Sequence, residues 1–143
     1  MRASAALVLA LLLAIPGIVH AQDRHACASN RDELQQLRIY EINRDNKDDF
    51  HKRFQHHALR IMQRYGFRVV DAWESDTGEK IEFVYILAWP DRATMDASWA
   101  GFLADQEWID IKKRTGAESG QLVRKANGQP LRRVSYSPAC SPK

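Results

Sequence analysis

The stretch EFVYILAW, residues 82–89, decides how this sequence folds. Its aromatic and aliphatic residues, uninterrupted by Gly or Pro, predict a β-strand that ends before Pro90. One parity of the strand carries the larger side chains, Phe83, Tyr85, Leu87 and Trp89, and the other carries Val84, Ile86 and Ala88. Because both faces of the strand are apolar, the sheet that contains it needs a covering layer on each side.

The segments around this strand supply the rest of an antiparallel sheet. FRVVDAWE, residues 67–74, is predicted to be a strand, and the short connector SDTGEKI joins it to the strand quoted above as a hairpin. ELQQLRIYEI at 33–42 predicts the first strand of the chain, and LRRVSYS from Leu131 predicts the last. Glycines and polar residues between 117 and 130 predict a loop, with at most a short extended piece near Gln121.

Three helical segments connect these strands. In the first two, an Asn or Asp at the start can accept hydrogen bonds from the free N–H groups of the first turn. A glycine after the first and third segments can take the left-handed conformation that ends many helices. The predicted helices are 46–65, 91–104 and 105–116, with caps at Asn46 and Asp91, the third helix beginning at Asp105, and closing residues Gly66 and Gly116.

The order β-α-β-β-α-(α)-β is that of a ferredoxin-like α+β fold, in which an antiparallel sheet carries its helices on one face. Two or three short helices cover only one face of such a sheet. The second apolar face of residues 82–89 must then be covered by something else, most simply by the same face of a second copy. We therefore expect a homodimer.

The chain begins with the features of a secretory signal peptide. Arg2 precedes an apolar run over 5–15, and small residues stand before Gln22, where signal peptidase would cut. We expect export to the periplasm or the medium. The apolar run is too short for a bilayer, which takes about 20 helical residues, so no membrane span is expected after cleavage. The chain then divides into a signal at 1–21, an extension at 22–33, one domain at 34–138 and a tail at 139–143.

Two cysteines, Cys27 and Cys140, lie near the two ends of the mature chain. In an exported protein an even number of cysteines favours a disulfide, because the compartment is oxidising. The alternative is a pair of free thiols with a catalytic or metal-binding role. It has no support from a neighbouring His or from C-x-x-C spacing, so we expect the disulfide.

Charge and motifs exclude several classes of function. Lys and Arg number 21 against 18 Asp and Glu, and the cations are scattered, so no nucleic-acid partner is expected. No G-x-G-x-x-G, Walker or G-x-S-x-G pattern occurs, so no standard cofactor or nucleophile elbow is expected. The adjacent His56 and His57 have no His, Cys or carboxylate three or four residues further on. They therefore lack the helical spacing of a metal chelate, and no metal is expected.

Several of these segments resemble the NIPSNAP family. The similar stretches are LRIYEI at 37–42, HHALRIMQRYGFRVVDAWES at 56–75, YILAWPDRATMDASWAGFLADQEW at 85–108 and YSP at 136–138. The resemblance covers nearly all of the mature chain and implies the dimeric α/β-barrel fold. Related families with that fold include small cofactor-independent oxygenases and haem-handling proteins, so the resemblance implies an enzyme only by analogy of fold.

The candidate site residues are those whose chemistry does not fit a plain core. His57 lies at the border of the apolar stripe of the first helix, where it could bond a backbone carbonyl or face a cleft between helix and sheet. Arg38 and Asp71 interrupt apolar strands, so each is expected in an ion pair or in the polar floor of a pocket. Six aromatic residues are most simply core residues, although part of this group can line a pocket: Tyr40, Trp73, Tyr85, Trp89, Trp99 and Trp108. Of these, Tyr40, Trp73 and Trp89 are the candidates for a ligand site.

The sequence predicts an exported, dimeric binding protein whose ligand is a small apolar or aromatic molecule or a protein partner. The alternative is a cofactor-independent oxygenase or isomerase, in which His57 is the base and Arg38 and Tyr40 steer an anionic substrate oxygen. A third possibility is an interaction module that acts only through its surface.

Overall fold

The computed structural model describes residues 34–134, 136 and 137. The predicted signal peptide, the N-terminal extension, Cys27, Cys140 and the C-terminal tail lie outside these residues. The described helices and strands are β1 Leu34–Ile42, α1 Lys47–Arg53, α2 Leu59–Arg64, β2 Arg68–Asp76, β3 Ile81–Trp89, α3 Arg92–Ala104, α4 Gln106–Ser119 and β4 Val123–Leu131. A 3₁₀ turn, Arg44–Asn46, precedes α1, and a π-helical turn, Phe54–Ala58, joins α1 to α2.

The strands form one antiparallel sheet in the order β2-β3-β1-β4. This is the ferredoxin-like α+β arrangement that the order of elements predicted. The strand formed by residues 81–89 lies inside the sheet, paired with β1 on one side and β2 on the other. The interior position agrees with the two apolar faces of its sequence.

The core lies between one face of the sheet and the helices. Side chains directly opposite each other in antiparallel strands point to the same face, so Arg38 shares its face with Tyr85, and Tyr40 with Phe83. Trp89, Tyr85 and Leu87 of β3 are fully buried on this face, together with Ile61 and Met62 of α2. The larger-residue parity of β3 therefore faces the helices.

The opposite face, which we call the open face, is apolar at its centre and is not covered by α1–α4. Leu37 and Ile39 of β1 point toward it beside Val84 and Ile86 of β3, and all of these are partly buried. Trp73 lies opposite Val84 and is 47% exposed. The second apolar face predicted from the sequence is therefore present.

Of the two predicted helix caps, Asp91 is confirmed and Asn46 is wrong. The Asp91 carboxylate accepts the N–H of Thr94 at 2.7 Å, and the structure shows a further cap at Asp105, whose carboxylate accepts the N–H of Trp108 at 2.9 Å. Asn46 makes no capping bond. Its amide instead donates to the carbonyl of Ser119 at 2.6 Å, because the C-terminal end of α4 packs beside the start of α1.

The C-terminal third differs most from the prediction. Helix α4 continues past Gly116 to Ser119, and Gly120, with φ of 76°, ends it. The predicted loop at 117–130 is mostly wrong, since Val123–Leu131 forms β4. The last strand predicted from Leu131 is also wrong, since β4 ends at Leu131 and residues 132–134 are not in a strand. Pairing with β1 overrides the weak strand propensity of Asn127 and Gly128. Strand β4 is at the edge of the sheet, beside β1. An edge strand tolerates proline, which explains the presence of Pro130 within β4.

Within the part of the chain that the structure describes, no helix has the length and apolar character needed to cross a bilayer.

Candidate functional site: the helix–sheet cavity

A cavity of about 570 Å³ lies between the helix-facing side of the sheet and the helices. Strands β1, β3 and β4 form its floor, and α1, the π-helical turn, α3 and α4 form its walls. The π-helical turn contributes Phe54 and Ala58 to the wall. Such turns insert one extra residue into a helix and are frequent at functional sites.

Seven aromatic side chains line the cavity. Phe54 packs edge-on against Tyr85, with ring centroids 5.3 Å apart, and Tyr85 meets Tyr40 at 5.4 Å and 86°. Trp99 of α3 and Trp108 of α4 supply indole rings from the other side. Edge-to-face contacts of this kind hold each ring in one orientation, so the cavity has defined apolar walls.

A polar cluster, formed by Arg38, Tyr40 and Tyr85, lies in the floor. The Arg38 guanidinium donates from Nη2 to the Tyr40 hydroxyl at 3.2 Å, and the hydroxyls of Tyr40 and Tyr85 are 2.8 Å apart. We call these three residues the Arg–Tyr–Tyr cluster. They meet because positions 38 and 40 share one face of β1 and position 85 lies opposite Arg38 in β3.

Two neighbours hold the Arg38 guanidinium in place. Its central carbon lies 4.5 Å from the ring centroid of Trp99, a cation–π distance. Gly128 lies directly opposite Arg38 in β4, and a Cβ at this position would overlap the guanidinium nitrogen Nη1. The glycine therefore leaves the space that the arginine occupies.

Burial and the neighbouring phenols together set the pKa values of Arg38 and Tyr85. Burial, and next the neighbouring Tyr40, raises the pKa of Tyr85 well above its ordinary value, so this phenol keeps its proton at neutral pH. Burial alone would lower the pKa of Arg38, but the phenol oxygens of Tyr40 and Tyr85 more than offset it, and the pKa is raised. The cluster therefore holds a fixed cation, Arg38, beside the protonated phenol of Tyr85.

A second group of cations lies around Trp108. Arg53 and Lys112 both line the cavity, with their charged groups 5.8 Å and 5.7 Å from the Trp108 ring centroid. Arg53 also donates to the Thr115 hydroxyl at 3.1 Å, and burial lowers its pKa. Arg92 in α3, which also lines the cavity, is paired with Asp96 at 3.1 Å. The lining is therefore positively charged overall.

The structure brings only part of the predicted site together. Arg38 and Tyr40 line the cavity, whereas His57 is partly buried outside its wall and His56 is exposed. Asp71 lies opposite Ile86 on the open face and is exposed, as is Trp73. Their placement there, rather than beside the cavity, follows from a register shift in β2 between Val69 and Asp71.

Trp89 does not line the cavity. It is fully buried and packs against Phe67, with ring centroids 4.8 Å apart. It is therefore a core residue in this structure, the simpler of the two interpretations that its sequence context allowed.

Sequence reasoning missed three residues of the cavity, Gln36, Arg53 and Gly128, and it did not separate Tyr85 and Trp99 from the other aromatic residues of which part was expected in a pocket. A signal for one group was present, since Gln36, Arg38 and Tyr40 recur at every second position of a strand otherwise rich in apolar residues. Gly128 and Trp99 carry no such signal, because their contacts with Arg38 join segments far apart in the chain.

The fold and the cavity define a class of protein: a ferredoxin-like α+β domain with an aromatic-lined cavity between its sheet and its helices. The chain belongs to the NIPSNAP family, whose family model matches residues 35–138. The resemblance noted in the sequence is therefore confirmed. No curated protein sequence matches the chain significantly.

Solved structures of the same fold include two from Burkholderia xenovorans, an uncharacterized NIPSNAP-like domain protein and an uncharacterized NIPSNAP domain protein. The first has 19% identity and a TM-score of 0.64 over 76% of this chain and 90% of that one. The second has 23% identity and a TM-score of 0.61 over 73% and 98%. A putative antibiotic biosynthesis monooxygenase from Nitrosomonas europaea is similar at 12% identity and a TM-score of 0.51, over 74% and 94%. At these identities the likeness shows a shared fold.

Proposed function

We propose that this protein is an exported binding protein that holds a small molecule with an apolar or aromatic body in the helix–sheet cavity. The observation that carries the proposal is the cavity itself, whose volume of about 570 Å³ falls within the range of about 300–1,000 Å³ found for small-molecule sites. Its aromatic walls with a few convergent polar groups are the usual composition of such sites.

The chemistry of the cavity favours binding over catalysis. The oxygenase or isomerase alternative places His57 as a base beside Arg38 and Tyr40, and His57 does not line the cavity. Tyr85, whose pKa is raised, keeps its proton and so donates a hydrogen bond instead of accepting a proton. The cluster can hold and orient an oxygen-bearing ligand without changing it.

Titration with a neutral planar aromatic, 2-naphthamide, followed by calorimetry, tests the cavity. We expect saturable binding with one molecule per chain. Ala126→Trp should abolish it, because Ala126 lies in the floor beside Tyr40 and an indole would fill the space. Ala117→Trp, an exposed change on α4, is the matched control and should bind normally. Equal binding by both variants would contradict the proposal.

The open face supports a second part of the proposal, that two copies associate through their sheets. The apolar centre formed by Leu37, Ile39, Val84 and Ile86 lies on a face that α1–α4 do not cover. Covering it with the same face of a second copy would remove this apolar surface from water, at about 25 cal/mol per Å². A protein partner is the other occupant considered for this face.

Light scattering of the purified protein at micromolar concentration tests the dimer. We expect a dimer mass, and we expect Trp73→Asp to give monomers by placing a charge in the covered face. Ile109→Asp, which alters an exposed apolar residue of α4, should leave the dimer intact. A monomer mass for the native protein would refute self-association. A protein partner would then be the remaining candidate for covering the open face.

A further inference from the structure

The cavity contains a cation that no carboxylate neutralises within the described residues. The Arg38 guanidinium hydrogen-bonds to Tyr40 and stacks on Trp99, both of which are uncharged. A guanidinium removed from water needs a counter-charge or hydrogen-bond acceptors to offset the loss of hydration. Its neighbours offer only part of that compensation.

The Arg–Tyr–Tyr cluster also has more hydrogen-bond donors than acceptors. A guanidinium carries five N–H groups and each phenol one O–H, while the acceptors within the cluster are the two phenol oxygens. The Arg38 Nε is buried and donates to no group in the described residues. Because the hydroxyls of Tyr40 and Tyr85 share one hydrogen bond, one of their protons remains available whichever of them donates.

Gln36 adds a further donor from the same face of β1. Its Oε1 accepts the indole N–H of Trp99 at 2.8 Å. Since an indole nitrogen only donates, the oxygen of the amide must face Trp99, and the NH₂ group must point away from it. Gln36 lines the cavity on the same face of β1 as Arg38, so its NH₂ group is a further donor in the lining.

This donor set is held in place before any ligand arrives. Trp99 contacts both Gln36 and Arg38, and Gly128 leaves room for the guanidinium against β4. All the donors stand on β1 and β3, the two interior strands of the sheet. Sites built on rigid elements bind with little loss of conformational entropy.

We propose that the ligand of the cavity is an apolar or aromatic carboxylic acid, and that its carboxylate is recognised by Arg38 with Tyr40, Tyr85 and Gln36. The inference rests on the proposed function, since it names the chemical class of the ligand in the same cavity. A carboxylate only accepts hydrogen bonds, and its single negative charge would neutralise the positive charge of Arg38. Its planar fork matches the N–H geometry of a guanidinium.

Binding of 2-naphthoic acid compared with 2-naphthamide tests the inference on the native protein. The two probes have the same ring and differ in the anionic group, so the comparison isolates the charge. At neutral pH and low salt we expect the acid to bind about tenfold or more tightly, the size expected for hydrogen bonds to a charged group. Acetate should displace the acid at millimolar concentration more effectively than inorganic phosphate does.

Variants assign the preference to Arg38. Arg38→Met keeps an apolar stem and removes the charge, so the acid should lose about tenfold in affinity while the amide changes little. Arg114→Met is the matched control, since it removes an exposed cation outside the cavity wall. Tyr40→Phe, which keeps the ring, should weaken the acid severalfold and provides a second test if Arg38→Met does not fold.

Each outcome has one meaning. If neither probe binds, the proposed function fails; if both bind equally, the cavity binds ligands but the carboxylate inference is wrong. A preference for the acid that survives Arg38→Met and is lost in Arg53→Met or Lys112→Met would overturn the assignment, because the anion would then lie beside Trp108. Displacement by phosphate alone would overturn the choice of a carboxylate.

Discussion

Replacement of Gly128 by alanine tests how the cavity floor is built. Gly128 is not in a left-handed conformation, so its backbone accepts a side chain without strain. The new Cβ would, however, overlap Arg38 Nη1 and lie 3.0 Å from the guanidinium carbon and 3.1 Å from Cδ. The guanidinium must therefore move away from Tyr40 and Trp99.

The expected cost follows from the contacts that this movement breaks. The cation–π contact with Trp99, at 4.5 Å, is worth about 1 kcal/mol. The hydrogen bond from Arg38 to Tyr40, at 3.2 Å, is worth about 1.5 kcal/mol. Against these, Gly→Ala without strain stabilises by roughly 0.5 kcal/mol through the unfolded chain. We expect Gly128→Ala to lower the free energy of unfolding by about 2 kcal/mol.

Urea unfolding at fixed protein concentration, followed by tryptophan fluorescence, measures this change. In an Arg38→Ala background the same substitution has nothing to displace, so it should be neutral or slightly stabilising. Gly116→Ala in α4 is the control, since a Cβ there meets no atom within 4 Å, and it should stabilise by about 1 kcal/mol. An equal effect of Gly128→Ala in both backgrounds would refute the proposed packing of Arg38 against Gly128.

Four further predictions concern other parts of the chain. Asn46→Asp should destabilise by about 1–2 kcal/mol in urea unfolding, because a carboxylate would face the Ser119 carbonyl; a neutral effect, as at a true cap, would contradict this geometry. The backbone N–H of Trp108 and the Tyr65 hydroxyl lower the pKa of Asp105 below its usual 3.8, so its stabilisation is present above that pH and is lost as the pH falls through the lowered value. Urea unfolding at falling pH should therefore show a smaller loss of stability in acid for Asp105→Asn than for the native protein. Mass spectrometry of the alkylated protein should show a difference between reduced and unreduced samples if Cys27 and Cys140 are bridged, and equal masses would exclude the bridge. Cell fractionation with N-terminal sequencing should find an exported chain that begins at Gln22; an intact leader on a cytoplasmic protein would contradict export.

The α+β class followed from local patterns that tertiary contacts did not override. The strand at residues 81–89 is apolar on both parities, and Asp91 and Asp105 begin helices that the structure confirms. Such signals act within a few residues of the chain, so they can be read without knowledge of the fold. The secondary-structure predictions failed where a segment distant in the chain determined the conformation. Residues 123–131, for example, form a strand because they pair with β1.

The candidate site was predictable only in part, for the same reason. Arg38 and Tyr40 were identified as polar residues on a strand, and their common face follows from the two-residue period. Their partners Tyr85, Trp99 and Gly128 come from three other elements, and nothing local in the sequence marks them as neighbours of Arg38. His57 was placed at the border of the apolar stripe from an ideal helical period, with a core-edge contact or a cleft as the alternatives; it lies within the π-helical turn, outside the cavity wall.

The sequence by itself carried the stretches that resemble the NIPSNAP family. It also determined most of the element types and the two apolar faces of the central strand, because these depend on periodicity and on short-range backbone preferences. Only the tertiary structure decided which residues enclose the cavity. It paired β4 with β1, placed Gly128 against Arg38 and turned Asp71 and Trp73 to the open face. A binding site is formed by side chains from different strands and helices. The contacts between them depend on strand register and packing, which cannot be read from the order of residues in the sequence.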